Sequence, residues 1–486
     1  MRRCFSLRAL VVVLSVSFTG AGVAPPELGY ETIDCGFKMP GIVLTCGFVE
    51  VPENRAKPDG RKVPIHFVRA GATGDAPLPD PIVFLGGGPG VHATPSASGM
   101  IWANRARLVQ RDLIVVDQRG TGRSNPLDCF DHGADAGADV VRELFSRDFF
   151  DMDTFRACRQ ELSKKADLAQ YTTTASVEDV EAIRRALGYE KINLFGGSYG
   201  TRWALEYMRR RPESVRSAVM FGVAPPSELL VKRVALDFQQ NLDALIAACE
   251  SDDDCARAYP KFREQLGQVL AAVKDKPVEV AVSVGGEKVS VTMNYEQFVT
   301  AMRFTFYSVH QAAALPSQVQ AAAGGDYTPF ANNLSATSIQ LHNMVAEGLW
   351  ASVKCAEELP FIDYERAKRL SAGTVLGTLR LESERKICSI WPRGAIPEDF
   401  NQPVESDVPA LLIAGELDTA TPLDLAEKAV RHLSKGLLVR VAKRSHWGLR
   451  GPCITGIVDR FLETGSVEGT DSGCASKFER PAFIVN

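Results

Sequence analysis

Beyond its first twenty residues the chain has no apolar run near the roughly 20 residues that a membrane-crossing helix requires, which excludes a span in the mature protein. It also lacks an excess of positive charge. Lys plus Arg total 55 against 59 Asp plus Glu, a formal charge of −4 over 486 residues, so nothing in the balance favours nucleic acid as a partner. Neither C-x-x-C nor H-E-x-x-H spacing occurs, nor G-x-G-x-x-G, nor a Walker lysine, so zinc sites and phosphate cradles lose their usual support. Repeats of 20 to 50 residues and low-complexity tracts are missing as well. Histidine is scarce, with seven in the chain, so any function that needs an imidazole must choose among few positions. What remains is ordinary globular composition, 45% hydrophobic and 23% charged. The length allows two to four domains, or one large α/β domain carrying an insertion.

The amino terminus joins Arg2, Arg3 and Arg8 to an apolar run from Ala9 to Phe18 and then to the small residues Thr19, Gly20 and Ala21, the grammar of a secretory signal peptide. Cleavage is expected after Ala21, giving a leader of residues 1–21. Arg2-Arg3-Cys4-Phe5 partly matches a twin-arginine signal, but Ser6 departs from it and the run is apolar enough for the general route. The leader carries three Arg and no acid, so its removal takes the formal charge from −4 to −7. The expected destination is periplasmic or extracellular. Of eleven cysteines, Cys4 lies in the leader and ten remain, an even number that suits an oxidising compartment. Paired in order they close short loops: Cys35 with Cys46, Cys129 with Cys158, Cys249 with Cys255, Cys355 with Cys388 and Cys453 with Cys474. Other connectivities, or a set of buried thiols, remain open from spacing alone.

Short β-branched or aliphatic runs, Ile82 to Leu85, Leu113 to Val116 and Ile192 to Phe195, read as fully buried strands that end in Gly- or Asp-led turns. Between the second and third, Val177, Val180, Ile183 and Leu187 recur at helical spacing, with Ser176 where an N-cap belongs and Gly188 as terminator. Trp203 to Arg211 continues the helices and Ala218 to Phe221 the strands. The rhythm returns at Leu411 to Ala414, Leu423 to Leu433, Leu438 to Val441 and Ile454 to Leu462. Strand and helix in alternation predict an α/β fold with a mostly parallel sheet and helices on both faces. Residues 226–400 break the rhythm, being largely helical with a hairpin pattern from Val278 to Met293 around Gly285-Gly286. They read as a lid inserted between core segments 22–225 and 401–486.

Gly196-Gly197-Ser198-Tyr199-Gly200 is a G-x-S-x-G match placed between a buried strand and a helix, where the motif has mechanical meaning. A serine on so tight a turn takes strained backbone angles, and its hydroxyl projects beyond the sheet edge. The following helix directs unpaired N–H groups and its positive dipole end at the same point. Serine is a weak nucleophile unless a histidine accepts its proton and a carboxylate orients that histidine. His446, in Ser445-His446-Trp447-Gly448 after a late strand, satisfies the chain order serine, acid, histidine. His66 lies inside a strand, His92 near the Gly-rich loop, and His132, His310, His342 and His432 lack such a setting. Asp418, in Gly415-Glu416-Leu417-Asp418-Thr419, is the expected acid, with Glu416 as rival and an Asx-type turn or helix cap as the plainer role for Asp418. The oxyanion requires two N–H donors: Tyr199, directly after the serine, and Gly88, or else Gly87, in Gly86-Gly87-Gly88-Pro89-Gly90. Asp117-Gln118-Arg119-Gly120-Thr121-Gly122-Arg123-Ser124 is turn-rich and reads as structural support beside the site, or as a solvated loop.

With these pieces placed, the chain resembles the α/β-hydrolase-fold peptidases of the proline iminopeptidase and tripeptidyl aminopeptidase family. The resemblance rests on Gly86 to Gly90, on Asp117-Gln118-Arg119-Gly120 with Gly122 and Ser124, on Gly197-Ser198-Tyr199-Gly200-Thr201, and on Gly415-Glu416-Leu417-Asp418 with Thr421-Pro422. Cys35 and Cys46 ahead of Val51-Pro52, and Cys355 before Glu357, resemble the secreted tripeptidyl branch with its C-terminal portion. Gly86 stands where proline iminopeptidases usually carry His, and Phe221-Gly222-Val223 replaces Asp-Gly-Val. The resemblance implies a serine exopeptidase that removes residues or short peptides from free N-termini. An acidic residue of the lid would hold the substrate's ammonium group, and Glu357 in Cys355-Ala356-Glu357-Glu358 resembles that position, a solvated helix face being its plainer role. No metal or organic cofactor is expected, and the partners are peptide substrates. An esterase or lipase on the same triad, or a secreted binding protein that has kept the fold, are the rival expectations.

Overall fold

The computed structural model describes residues 29–130, 137–146 and 150–485; the expected leader, residues 1–21, lies outside them. The strands are β1 (Glu31–Ile33), β2 (Leu44–Pro52), β3 (Lys62–Ala70), β4 (Ile82–Leu85), β5 (Leu113–Val116), β6 (Ile192–Gly197), β7 (Val215–Phe221), β8 (Val278–Val284), β9 (Glu287–Met293), β10 (Ala410–Gly415) and β11 (Gly436–Val441). Among the described residues nine of them form one sheet in the order β1-β2-β3-β5-β4-β6-β7-β10-β11. The pairs from β1 to β5 are antiparallel, and every pair from β5 onward to β11 is parallel. The loops that follow β4, β6, β7, β10 and β11 therefore leave the same carboxyl edge.

Alternation of side chains divides each strand between two cores. Val83, Leu85, Ile114, Val116 and Leu194 pack on one face against Val177, Trp203 and Ala426, which belong to the helices Thr173–Ala186, Tyr199–Arg210 and Leu423–Val430. Ile82, Phe84, Leu113 and Val115 pack on the other, against Ile101 of the helix Ala97–Ala103 and Phe461 of the helix Pro452–Thr464. Strands covered on both faces require the unbroken apolar runs seen in the sequence.

The helix Thr173–Ala186 begins three residues ahead of the capping position expected at Ser176. The side chain of Thr172 is the N-cap, accepting the Ala175 N–H, and Ser176 lies within the helix with its hydroxyl donating to the Thr172 carbonyl at 3.0 Å. The hairpin forms as its pattern predicts, with Val278 opposite Met293. Residues of the insertion have a core of their own, in which Phe238, Leu242, Phe298, Met302 and Phe330 are buried together. Val141 and Phe145 of the helix Ala138–Ser146 join this cluster, as does Phe483 from the chain's end. The tail is tied there: the Ile484 N–H donates to the Ala313 carbonyl at 3.2 Å, and the Tyr259 hydroxyl to the Ile484 carbonyl at 2.8 Å. All five sequential cysteine pairs are disulfides. No helix among the described residues is long and apolar enough to cross a membrane.

Candidate active site

Ser198 follows β6 directly and has φ 55° and ψ −124°, a region that costs a β-carbon-bearing residue free energy and persists only where its surroundings enforce it. Its own N–H donates to the Phe221 carbonyl at the end of β7, at 2.8 Å. The two flanking glycines are explained by close approach. A β-carbon on Gly200 would run into the Leu85 carbonyl oxygen, and one on Gly196 would meet the Gly200 carbonyl oxygen at 2.5 Å. The helix Tyr199–Arg210 thus presses its first turn onto the end of β4, and only hydrogen at these two α-carbons permits it.

His446 stands in a short turn after β11. Its Nδ1 lies 2.8 Å from Asp418 Oδ2 in the loop after β10. Asp418 is 1% exposed. Its other oxygen accepts the N–H groups of Ala420 and Thr421 at 2.8 and 2.9 Å, so the turn-forming role and the imidazole-orienting contact belong to one carboxylate. Burial alone would raise its pKa, but the charge and hydrogen bond of His446 and the N–H and hydroxyl of Thr421 outweigh burial and hold it below the usual 3.8. Glu416 turns elsewhere, accepting the Lys443 N–H at 3.2 Å. The Thr421 hydroxyl donates to Asp418 Oδ2 at 2.7 Å and sits 3.1 Å from His446 Nδ1. Gly222, next to the residue that accepts the Ser198 N–H, has φ 60°, and a β-carbon there would lie 2.7 Å from the Thr421 hydroxyl and 3.1 Å from the imidazole Cε1. The serine, the imidazole and the carboxylate therefore occupy neighbouring loops of one sheet edge.

A family profile described as alpha/beta hydrolase fold matches residues 80–449. The chain belongs to the α/β-hydrolase family. It is 26% identical over 503 residues to a tripeptidyl aminopeptidase of Streptomyces coelicolor, covering 94% of this chain and 88% of that one. It is 24% identical to the serine protease Hip1 of Mycobacterium tuberculosis, covering 96% and 95%. A proline iminopeptidase of Neisseria gonorrhoeae is 30% identical over 150 residues, 30% of this chain and 34% of that one.

Within this α/β hydrolase the Gly-rich loop lies against the Ser198 turn: a β-carbon on Gly87 would sit 3.6 Å from Ser198 Cβ, whereas one on the exposed Gly88 would face Gly90 and Val91. Among the described residues the N–H groups of Gly87, Gly88 and Tyr199 meet no protein acceptor. The Tyr199 hydroxyl is held by Gln118 Nε2 at 3.0 Å and by the Thr173 hydroxyl at 2.6 Å. Asp117 is structural, accepting the N–H groups of Ala93, Thr94 and Arg123 and the Thr94 hydroxyl, and so fixes the chain just after the Gly-rich loop. Arg119 is buried in a two-pronged pair with Asp179, at 2.6 and 2.7 Å. His66 contacts Asp117, and His92 Nδ1 accepts the Gly122 N–H. His310 and His432 lie on other elements, and His132 lies outside the described residues.

Glu357 is not on a solvated face. It is fully buried, and its oxygens accept the N–H and hydroxyl of Thr173 at 2.6 and 2.8 Å, satisfying a free donor of the first helical turn. Burial pushes its pKa up to about 7 against the charge of Arg202 and the Thr173 bonds. A cavity of about 190 Å³ opens between the Gly88-Pro89 turn, Trp447 and helical residues of the segment 226–400. Its walls include Phe155, Phe304, Tyr307 and Trp350 with the charged Arg303, Glu347 and Arg380; Glu357 is not among them. Tyr307, Arg303 and Glu347 escaped the sequence reading, which named Thr421 and Gly222 as motif residues without assigning them a place against His446. The signal for Thr421 and Gly222 was their adjacency to Asp418 and to the end of β7; the other three carried none.

Proposed function

We propose that this hydrolase is an exported serine exopeptidase of prolyl or tripeptidyl type that acts on peptides with free N-termini. The observation that carries the reading is the 2.8 Å pair of His446 Nδ1 with Asp418, on a ring packed against Gly222 beside the backbone of Ser198. With Nδ1–H given to the carboxylate, Nε2 is the basic nitrogen, and it takes the Ser198 proton as Oγ attacks the scissile carbonyl. The N–H of Tyr199 and one from the Gly87-Gly88 turn, Gly88 as first choice, stabilise the tetrahedral oxyanion. The imidazolium then protonates the departing amine, and water repeats the cycle on the acyl-enzyme. The relatives named as aminopeptidases and the five disulfides support peptide substrates and export.

For the substrate's ammonium group Glu357 is poorly disposed, since reaching it would break both Thr173 bonds. We assign that contact to Glu347, which lines the cavity and accepts the Cys129 N–H at 3.2 Å. The aromatic lining also suits acyl groups of esters, the second reading. Turnover of tripeptidyl and X-Pro anilides, their N-acetylated forms and p-nitrophenyl esters separates the two. A peptidase of this kind rejects blocked peptides, and Glu347→Gln raises KM for the free amines. Ser198→Ala is expected to lower kcat by on the order of 10⁶. Activity retained in that variant removes the triad, and equal turnover of blocked and free peptides removes the exopeptidase.

A further inference from the structure

Among the described residues the other buried guanidinium groups are matched by carboxylates: Arg119 by Asp179, Arg202 by Glu358 at 2.9 Å, Arg111 by Asp80 at 2.8 Å. Arg303, on the lid helix Tyr295–Thr305, is different. It is 8% exposed, its Nε has no hydrogen-bond partner, and its one hydrogen bond among the described residues runs from Nη2 to the Tyr307 hydroxyl at 3.2 Å. No carboxylate pairs with it there; the rings of Phe304 and Tyr307 lie 5.9 and 5.4 Å from its central carbon. A cation this far out of water is costly unless an anion meets it, and Arg303 forms part of the cavity wall.

The cation also lies on a definite side of the reacting centre. The Tyr307 and His446 rings meet edge to face, with centroids 5.4 Å apart. The Tyr307 carbonyl accepts the Trp447 N–H and the Ser445 hydroxyl, both at 2.9 Å, so the lid segment bearing Arg303 is fastened to the histidine loop. In acyl transfer the imidazole protonates the leaving amine, so the part of the substrate that departs lies on the imidazole side. We propose that Arg303 receives a carboxylate of the substrate's leaving portion, either the C-terminal carboxylate of a short peptide or an acidic side chain just beyond the cleaved bond. This deepens the exopeptidase reading and rests on Ser198 and His446 as its reacting groups. With Glu347 receiving the ammonium and Arg380 paired with Glu384, Arg303 is the lining cation left for the other end of a short peptide.

The test uses the full chain and two pairs of peptides with free N-termini: a short peptide as free acid and as C-terminal amide, and amidated peptides with Glu or Gln after the cleaved bond. A charge-assisted hydrogen bond of typical strength predicts that wild type favours one carboxylate-bearing member by about ten- to a hundredfold in kcat/KM. Preference for the acid over the amide identifies the chain end as the source, and preference for Glu over Gln identifies the side chain. Arg303→Gln brings that ratio close to one, and Arg303→Lys retains part of it. A wild-type ratio near one in both pairs overturns the proposal, as does an Arg303→Gln enzyme that is slower on all four peptides with its ratio unchanged. If Arg303→Gln does not fold, the wild-type ratio and the lysine variant decide. Fluorophosphonate labelling keeps the two readings apart: a labelled Ser198 with a flat ratio defeats only the role of Arg303, whereas absent labelling with activity surviving Ser198→Ala defeats the triad.

Discussion

A single hydroxyl, that of Thr421, touches both members of the proposed Asp418–His446 pair. It belongs to the same turn whose N–H groups stabilise the ionised carboxylate, so its role is to fix the orientation of the pair, with no proton transferred. Thr421→Val keeps the shape and removes the hydroxyl. The expected result is a fall in kcat of roughly tenfold, the cost of one positioning hydrogen bond, with KM little altered. Steady-state kinetics on one peptide substrate checks it; an unchanged kcat, or a loss confined to KM, removes the positioning role. Residues of this kind were partly legible. Gly196, Ser198 and Gly200 were readable because a turn this tight permits few side chains, and Asp418 and His446 because each follows a late strand at the carboxyl edge. Arg303 and Tyr307 were not, since their helical setting looks like any lid helix until the insertion docks on the histidine loop.

At the scale of elements, the segment around the helix Glu347–Glu357 meets the helix Tyr199–Arg210 through charge. Glu358, just past the helix Glu347–Glu357, binds Arg202 at 2.9 Å and Lys354 at 2.6 Å, and Arg202 also donates to the Glu228 carbonyl at 3.0 Å. Burial would raise the pKa of Glu358, but Lys354 and Arg202 hold it down to about 2. Two buried cations share this carboxylate; Lys354 also has Glu384 at 3.3 Å, so Glu358→Gln strips Arg202 of its paired anion. The expected cost is about 3–5 kcal/mol of stability, seen as an earlier urea midpoint. A loss below about 1 kcal/mol, the range of exposed ion pairs, would mean that the lid is held by its apolar contacts instead. The same junction explains a boundary the periodicity missed. The helix Thr173–Ala186 starts early because Thr172 caps it and Glu357, 184 residues further on, accepts the Thr173 N–H. Apolar spacing registers the face a helix buries, and a long-range cap has no counterpart in it.

For the molecule as a whole, buried carboxylates set how stability varies with pH, and they act in two directions. Asp117, Asp179 and Asp418 are held below 3.8, so each contributes stability that is present above that value and lost as pH falls through its lowered one. Glu357 runs the other way. Its pKa rises from 4.5 to about 7, so between those values the unfolded chain releases a proton that the folded chain keeps, and stability declines as pH rises. Glu206 and Asp237 are raised as well. The expected unfolding free energy of wild type falls through this window, with a share on the order of 3 kcal/mol from Glu357, and Glu357→Gln flattens the fall. Urea unfolding of the two proteins across the window checks it; parallel curves would place the slope on other groups.

The covered sheet and the hairpin from Val278 to Met293 were determined by local pattern, because buried strands need unbroken apolar runs; strand order, and the choice of the sequential cysteine pairs among the pairings that spacing left open, came with the fold. The nucleophile turn belongs with them, since its glycines answer contacts made within a few residues or with the adjacent strand. Tertiary structure alone decided which charges face the cavity, that Glu357 closes a helix end while Glu347 and Arg303 line the cavity, and that the chain's tail completes the lid's core. Those outcomes depend on how an insertion of mostly helical pattern docks onto the sheet edge, and docking is set by shape and charge complementarity between surfaces far apart in the chain.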